Sequence, residues 1–294
     1  MQGKLIDGKA IAERVKEELK PDIETLRKVG TVPGLAAILV GDDPASHIYV
    51  NNKAKACQKI GIHSEVIKRP ASISDTELNQ LISELNDRPD IHGILIQSPL
   101  PKPLDELEAV LNVHPLKDVD GFHPVNMGYL LLGQPVFLPC TPFGILRLLE
   151  EIDVDPDGKK VVILGRGNIV GKPLAAMLMQ KWEGCNATVT VCHTGTADIP
   201  AETVRADIII AAMGKPRFIK PDMVKKGVVI IDVGVNRVED STADKGYSIC
   251  GDVDFDGCRE KASFITPVPG GVGPMTIAML LSNTVRAAMM LSNV

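Results

Sequence analysis

The chain has 294 residues, 45% of them hydrophobic and 23% charged, with a formal net charge of −5. That length allows one large or two medium domains, and the balance is that of an ordinary soluble enzyme. No Lys/Arg-rich run stands out, and three Tyr, six Phe and one Trp leave few stacking platforms, which argues against nucleic acid and anionic membranes as partners.

In chain order, Met1 to Leu5 lacks the apolar core of a secretory signal, and Ile6 to Leu26 reads as one amphipathic surface helix. Leu35–Val40 is the first candidate strand. Asp43-Pro44 then opens a helix, with the aspartate as N-cap and the proline at the first helical position. That helix runs to Ile60, and Gly61 stops it. Ser64–Lys68 and Gly93–Gln97 read as strands on either side of a helix from Ser74 to about Asn86. A proline-dense segment, Ser98 to Pro103, interrupts the pattern, and a second break at Leu138–Pro142 marks a domain crossing.

Lys160–Leu164, Thr188–His193, Ile208–Ala211 and Val228–Val233 are the strands expected in the second half. A stiff loop, Thr266 to Thr276, leads into a final apolar helix over Met275 to Met290, expected to return to the first domain. It carries Asn283 and Arg286 and falls short of a membrane span. Short apolar runs alternating with helical patterns predict an α/β fold with parallel sheet. The six cysteines form no C-x-x-C pair and read as buried thiols of a reducing compartment, so the chain is expected to be cytoplasmic. The six histidines include no H-E-x-x-H, and no metal site is expected.

Gly165-Arg166-Gly167-Asn168-Ile169-Val170-Gly171 follows the apolar run Val161–Leu164. A strand that breaks into a glycine-rich turn and then a helix builds an anion site. Glycine permits positive φ and close approach, and the first helical N–H groups with the helix dipole meet the negative charge. The spacing is one residue longer than the usual dinucleotide fingerprint, and a βα turn without a ligand is the plainer alternative. The next strand runs from Ala187 through Cys192 and His193 to Thr194-Gly195-Thr196 without the carboxylate that would hold the NAD ribose. Arg166 in the turn could meet a 2′-phosphate with two parallel hydrogen bonds. The two features favour NADP, although Arg166 alone reads equally as a solvated loop arginine.

Tyr49 and Lys53, four residues apart, share one face of the helix after Asp43. On helix statistics alone, a solvated lysine beside a half-buried tyrosine is the favoured account. Gln97 lies at the carboxyl end of a buried strand, where ligands sit in open α/β sheets. Asp118 and Asp120 place two carboxylates in one loop, which also suits plain turn chemistry.

Together, Tyr49 and Lys53, Gly93 to Pro101, Lys117 to Gly121, Gly165 to Gly171 and Pro267 to Thr276 resemble the methylenetetrahydrofolate dehydrogenase/cyclohydrolase family. The motifs follow the family's order and cover almost the whole chain. The resemblance implies a two-domain α/β protein. A catalytic folate domain would comprise 1–139 with 275–294, a Rossmann-like NADP-binding domain 140–274, and the active-site cleft would lie between them. It also implies a homodimer formed through the second domain. The implied reaction is NADP-dependent oxidation of 5,10-methylenetetrahydrofolate to 5,10-methenyltetrahydrofolate, then hydrolysis to 10-formyltetrahydrofolate, within one-carbon metabolism and purine biosynthesis.

Carried over by position, Lys53 is the catalytic amine, Gln97 its partner, and Tyr49 the ring that stacks on the aminobenzoyl part of folate. Asp120 holds the pterin, and Pro269, Gly270 and Gly273 line the folate pocket. Cofactor contacts fall on Thr141, Gly165, Arg166, Gly167, Asn168, Ile169, Thr194 and Val235. The chain departs from the family at Gly167, where serine is frequent, and at Gly195, where a basic residue is common. Arg166 is therefore expected to carry the 2′-phosphate almost alone. Short-chain dehydrogenases share Tyr-x-x-x-Lys, but their glycine turn precedes the tyrosine, whereas here it follows Lys53 by more than a hundred residues. A catalytically silent NADP sensor would have no use for a proton carrier.

Overall fold

Residues 2–243 and 246–292 are described by a computed structural model. The chain lays down Lys4–Leu5 (β1), Gly8–Glu18 (α1), Lys20–Lys28 (α2), Gly34–Val40 (β2), Pro44–Ile60 (α3) and His63–Arg69 (β3). Asp75–Asp87 (α4), Gly93–Ile96 (β4), Glu106–Asn112 (α5) and Pro124–Leu131 (α6) follow. Cys140–Glu151 (α7) leads to Lys160–Leu164 (β5), Gly171–Leu178 (α8), Thr188–Cys192 (β6), Ile199–Thr203 (α9), Ile208–Ala211 (β7) and Val229–Asp232 (β8). Then come Asn236–Glu239 (β9), Tyr247–Cys250 (β10), Phe255–Arg259 (α10), Phe264–Ile265 (β11) and Val272–Leu291 (α11). Among the described residues no helix is long and apolar enough to cross a membrane.

One compact unit comprises Glu13–Cys140 with Ile277–Val294. Its sheet has the order β3-β2-β4 with every pairing parallel. All seven residues of β2 are buried, which is why the strand reads as an unbroken apolar run. Ile38, Ile94, Leu78 and Ile82 belong to the core that joins this sheet to α4. The helix α3 has the caps its sequence predicts: the Asp43 carboxylate accepts the Ser46 N–H at 2.7 Å, and Gly61 closes the far end at φ +84°. A capping box starts α4, where Ser74 Oγ accepts the Glu77 N–H and the Glu77 carboxylate accepts the Ser74 N–H.

The other unit comprises Met1–Ala12 with Thr141–Thr276. Its six-stranded sheet has the order β1-β11-β8-β7-β5-β6, again wholly parallel. Val162, Ile209, Ile230 and Ile265 are in its core. A helical crossover joins β5 to β6 and another joins β6 to β7, whereas β7 reaches β8 past only a single 3₁₀ turn, Pro221–Met223. The strands β9 and β10 form an antiparallel hairpin.

Two expectations are corrected. Ile6 to Leu26 is not one helix. Pro21 has no N–H to donate, so α1 ends at Glu18 and α2 starts afresh around Pro21. The expected division places the N-terminus with the folate domain, but Lys4–Leu5 pairs with Phe264–Ile265, and this puts the first residues in the six-stranded unit. A two-residue strand carries no periodicity by which it could be recognised.

Candidate active site

Tyr49 and Lys53 project from the same face of α3, and the capped first turn of that helix fixes where the pair stands. Lys53 Nζ donates to Gln97 Oε1 at 3.0 Å. Gln97 follows β4 directly and is held from both ends: its main-chain N–H donates to the Ile38 carbonyl at 2.9 Å, and its Nε2 donates to the Ser98 carbonyl at 2.8 Å. With the amide nitrogen so engaged, the amide oxygen has to face the lysine. Glu106 braces the same loop, accepting from Ser98 Oγ at 2.5 Å and from the Leu100 N–H at 3.4 Å. Lys53 is half-buried and partnered, so it is not the solvated lysine of helix statistics. Tyr49 is 48% exposed.

The two loop carboxylates have separate tasks. Asp118 is buried and spends its oxygens on the loop itself, accepting the N–H groups of Gly121, Phe122 and His123 and the Asn126 Nδ2 at 2.8–3.3 Å. Asp120 instead faces Lys53 and the Cys140 thiol. Burial raises its carboxyl above the ordinary aspartate range, the Lys53 charge pulls it back, and the neighbouring Asp118 charge adds to the rise. Burial and the Asp120 charge together push the Cys140 thiol well above its usual value, so it stays protonated and inert.

Asn283 of α11 staples this loop. Its Nδ2 donates to the Val119 and Leu138 carbonyls at 2.8 and 2.9 Å and lies 3.7 Å from Cys140 Sγ. Sequence reasoning assigned neither Cys140 nor Asn283 to the site. An amide alone in the middle of an apolar helix was the available sign, since buried polar groups need partners.

In the other unit, β5 runs into Gly165, where φ is +118° and a Cβ would stand 2.1 Å from the Ala212 carbonyl oxygen. Only glycine fits. Arg166, Gly167, Asn168 and Ile169 are exposed, and the main-chain N–H groups of Asn168, Ile169 and Val170 have no partner among the described residues. Among the described residues no side chain caps the start of α8. Unpaired amides at a helix N-terminus suit a diphosphate. Arg166 forms no ion pair with any described residue, and Thr194 and Gly195 are exposed just past β6. Val235 is 59% exposed after β8. Thr141 and Thr276 pair through their hydroxyls at 3.0 Å. Pro269, Gly270 and Gly273 lie in the loop before and at the start of α11, tied down where the Lys9 N–H donates to the Gly270 carbonyl at 3.1 Å. They belong to this unit. The structure therefore gathers Lys53, Tyr49, Gln97 and Asp120 in one body and the glycine turn with Pro269, Gly270 and Gly273 in the other.

Two family models match the chain. The catalytic domain of tetrahydrofolate dehydrogenase/cyclohydrolase matches residues 6–120, and the NAD(P)-binding domain of the same enzyme matches residues 139–292. The chain belongs to the tetrahydrofolate dehydrogenase/cyclohydrolase family. As a family member it is a bifunctional enzyme, with dehydrogenase and cyclohydrolase activities. Among its relatives, the bifunctional protein FolD of Chlorobium phaeobacteroides is 54% identical over 292 residues, which is 98% of this chain and 99% of that protein. The crystal structure of FolD from Campylobacter jejuni is 49% identical with a TM-score of 0.92, over 98% of this chain and 99% of that one. The FolD of Trypanosoma brucei, solved with NADP and an inhibitor, is 38% identical with a TM-score of 0.93, over 99% and 98%.

Proposed function

We propose that this family member oxidises 5,10-methylenetetrahydrofolate to the methenyl form with NADP and then hydrolyses that product to 10-formyltetrahydrofolate, Lys53 carrying the proton of the second step. The observation that supports it most is the Lys53–Gln97 hydrogen bond at 3.0 Å beside the buried Asp120 carboxyl, whose ionised form the Lys53 charge favours against burial. NADP, when bound, supplies the hydride acceptor. The amides after β5, which have no partner among the described residues, suit its diphosphate, and Arg166, which forms no ion pair with any of them, suits its 2′-phosphate.

In the first step the protein has to hold the folate methylene carbon at near-attack distance and keep water away, a positioning effect. The Tyr49 ring stacks on the aminobenzoyl group, and Asp120 accepts two N–H bonds from the aminopyrimidine of the pterin. In the second step water adds to the methenyl carbon. The Lys53 amine takes the proton that leaves this water. As an ammonium it returns that proton to the ring nitrogen when the carbon–nitrogen bond breaks; the adduct's hydroxyl releases its own proton to solvent as the formyl C=O forms, and the formyl group remains on the other nitrogen. Gln97 aims Nζ without adding a charge that would trap the proton.

We also propose a cytoplasmic homodimer joined through the six-stranded unit, whose edge strand β6 is half-exposed. Six free, buried thiols suit a reducing compartment. The test of the reaction is a coupled assay on purified protein, in which NADPH absorbance and the methenyl chromophore are followed separately after methylenetetrahydrofolate is added. NADPH should accumulate while the methenyl signal rises and then decays. A protein that makes NADPH yet leaves added methenyltetrahydrofolate at its uncatalysed rate would refute the second half.

A further inference from the structure

Two carboxyl groups that the reaction above does not use are buried in the six-stranded unit. Asp232 is the last residue of β8, and Asp252 follows β10. They form one hydrogen-bonded chain. Asp232 Oδ1 accepts the N–H groups of Gly234 and Asp252, each at 3.0 Å, and Oδ2 accepts the Val253 N–H at 2.9 Å. Asp252 Oδ2 accepts the Met213 and Gly214 N–H groups at 2.7 and 2.9 Å, while its Oδ1 accepts Asn236 Nδ2 at 2.8 Å. Neither aspartate is ion-paired with a described residue. Burying two neighbouring carboxyls without a cation is costly. Burial indeed pushes Asp232 up to about 7, against three N–H donors that favour its ionised form.

What the pair holds explains why that cost is tolerated. Met213 and Gly214 lie in the loop after β7, and Gly234 lies in the loop after β8, next to the exposed Val235. Both loops sit at the carboxyl ends of adjacent parallel strands. The chain runs from β5 to β6 on one side and then crosses back to pair β7 on the other side of β5, so the topological switch lies between β5 and β7. In such a sheet a dinucleotide straddles the switch. The half with the glycine turn takes the adenosine end, and the β7–β8 half takes the nicotinamide end.

We propose that Asp232 and Asp252 are positioning residues for the dehydrogenase step: through the Met213, Gly214 and Gly234 amides they set the two loops that receive the nicotinamide half of the cofactor. This rests on the reading of the unit as an NADP site.

The experiment measures NADP affinity by calorimetry and both activities separately, in the unaltered enzyme and in Asp252→Ala, Asp252→Asn and Asn236→Ala. Asp252→Ala should weaken NADP binding about tenfold or more and lower dehydrogenase kcat/KM at least as much, the effect of amides left unpaired. Hydrolysis of added methenyltetrahydrofolate, which uses no cofactor, should stay within about twofold. Asp252→Asn keeps one acceptor and should recover part of the loss. If Asp252→Ala does not fold, Asn236→Ala, which removes only the side-chain partner, should weaken NADP about threefold with hydrolysis unchanged. Folded variants that bind NADP as tightly as the unaltered enzyme overturn the proposal, and so does a parallel fall of both activities. An unaltered enzyme that binds no NADP would instead overturn the cofactor reading beneath it.

Discussion

The two units present their polar groups in different currencies. Around Lys53 the groups are side chains held by other side chains: an ammonium on an amide oxygen, a carboxylate beside a thiol, a glutamate bracing the loop between them. Around Gly165 they are main-chain N–H groups at the start of a helix, with Arg166 as the one charged side chain in the turn. A site of the first kind depends on residue identity. A site of the second kind depends on the path of the backbone, so substitutions there should matter through shape.

The sharpest way to break this contrast is Lys53→Met, which keeps the stem and removes the amine. Cyclohydrolase activity should fall ~10²–10⁴-fold, the usual contribution of a general acid–base group, while dehydrogenase activity falls less. Direct loss of the methenyl chromophore reports it, and hydrolysis at the unaltered rate would remove the amine from the chemistry. On the backbone side, Gly165→Ala puts a methyl group 2.1 Å from the Ala212 carbonyl oxygen at a φ that alanine resists. A loss of about 3 kcal/mol of stability is expected by denaturant titration, with NADP binding impaired. Wild-type stability in that variant would show that the turn tolerates a different path.

Arg166→Ala tests the one side chain on which the second site relies. Losing a charged hydrogen bond costs ~1.5–3 kcal/mol, so the preference for NADP over NAD should narrow roughly 10–150-fold. Equal activity with both cofactors in the unaltered enzyme would sink the assignment of Arg166. The smallest effect is a gain. Gly167 has open space around it, so Gly167→Ser can place a hydroxyl beside Arg166 without a clash. NADP affinity should rise by ~0.5–1.5 kcal/mol while NAD affinity stays flat, as parallel calorimetric titrations would reveal.

What could be read in the amino-acid order was whatever has a local cause. Asp43, Pro44 and Gly61 bracket α3 because capping acts within four residues, and β2 is legible because burial on both faces leaves no polar alternation. Lys53 and Gln97 could be named, yet their hydrogen bond spans 44 positions and required the fold. Asp118 and Asp120 look alike in one loop. Only the surroundings tell them apart, four donors around the first and a lysine and a thiol facing the second. Asp232 and Asp252 left no mark at all, because a carboxylate that serves distant amides has no spacing rule.

The pairing of β1 with β11 has a consequence for how the protein is made. Lys4–Leu5 leaves the ribosome about 260 residues before its hydrogen-bonding neighbour. At a synthesis rate of roughly 5–20 residues per second, Lys4–Leu5 waits many seconds for a partner. Throughout that interval the sheet that will bind the cofactor lacks its last strand. Completion of this unit is thus deferred until Phe264–Ile265 has been made.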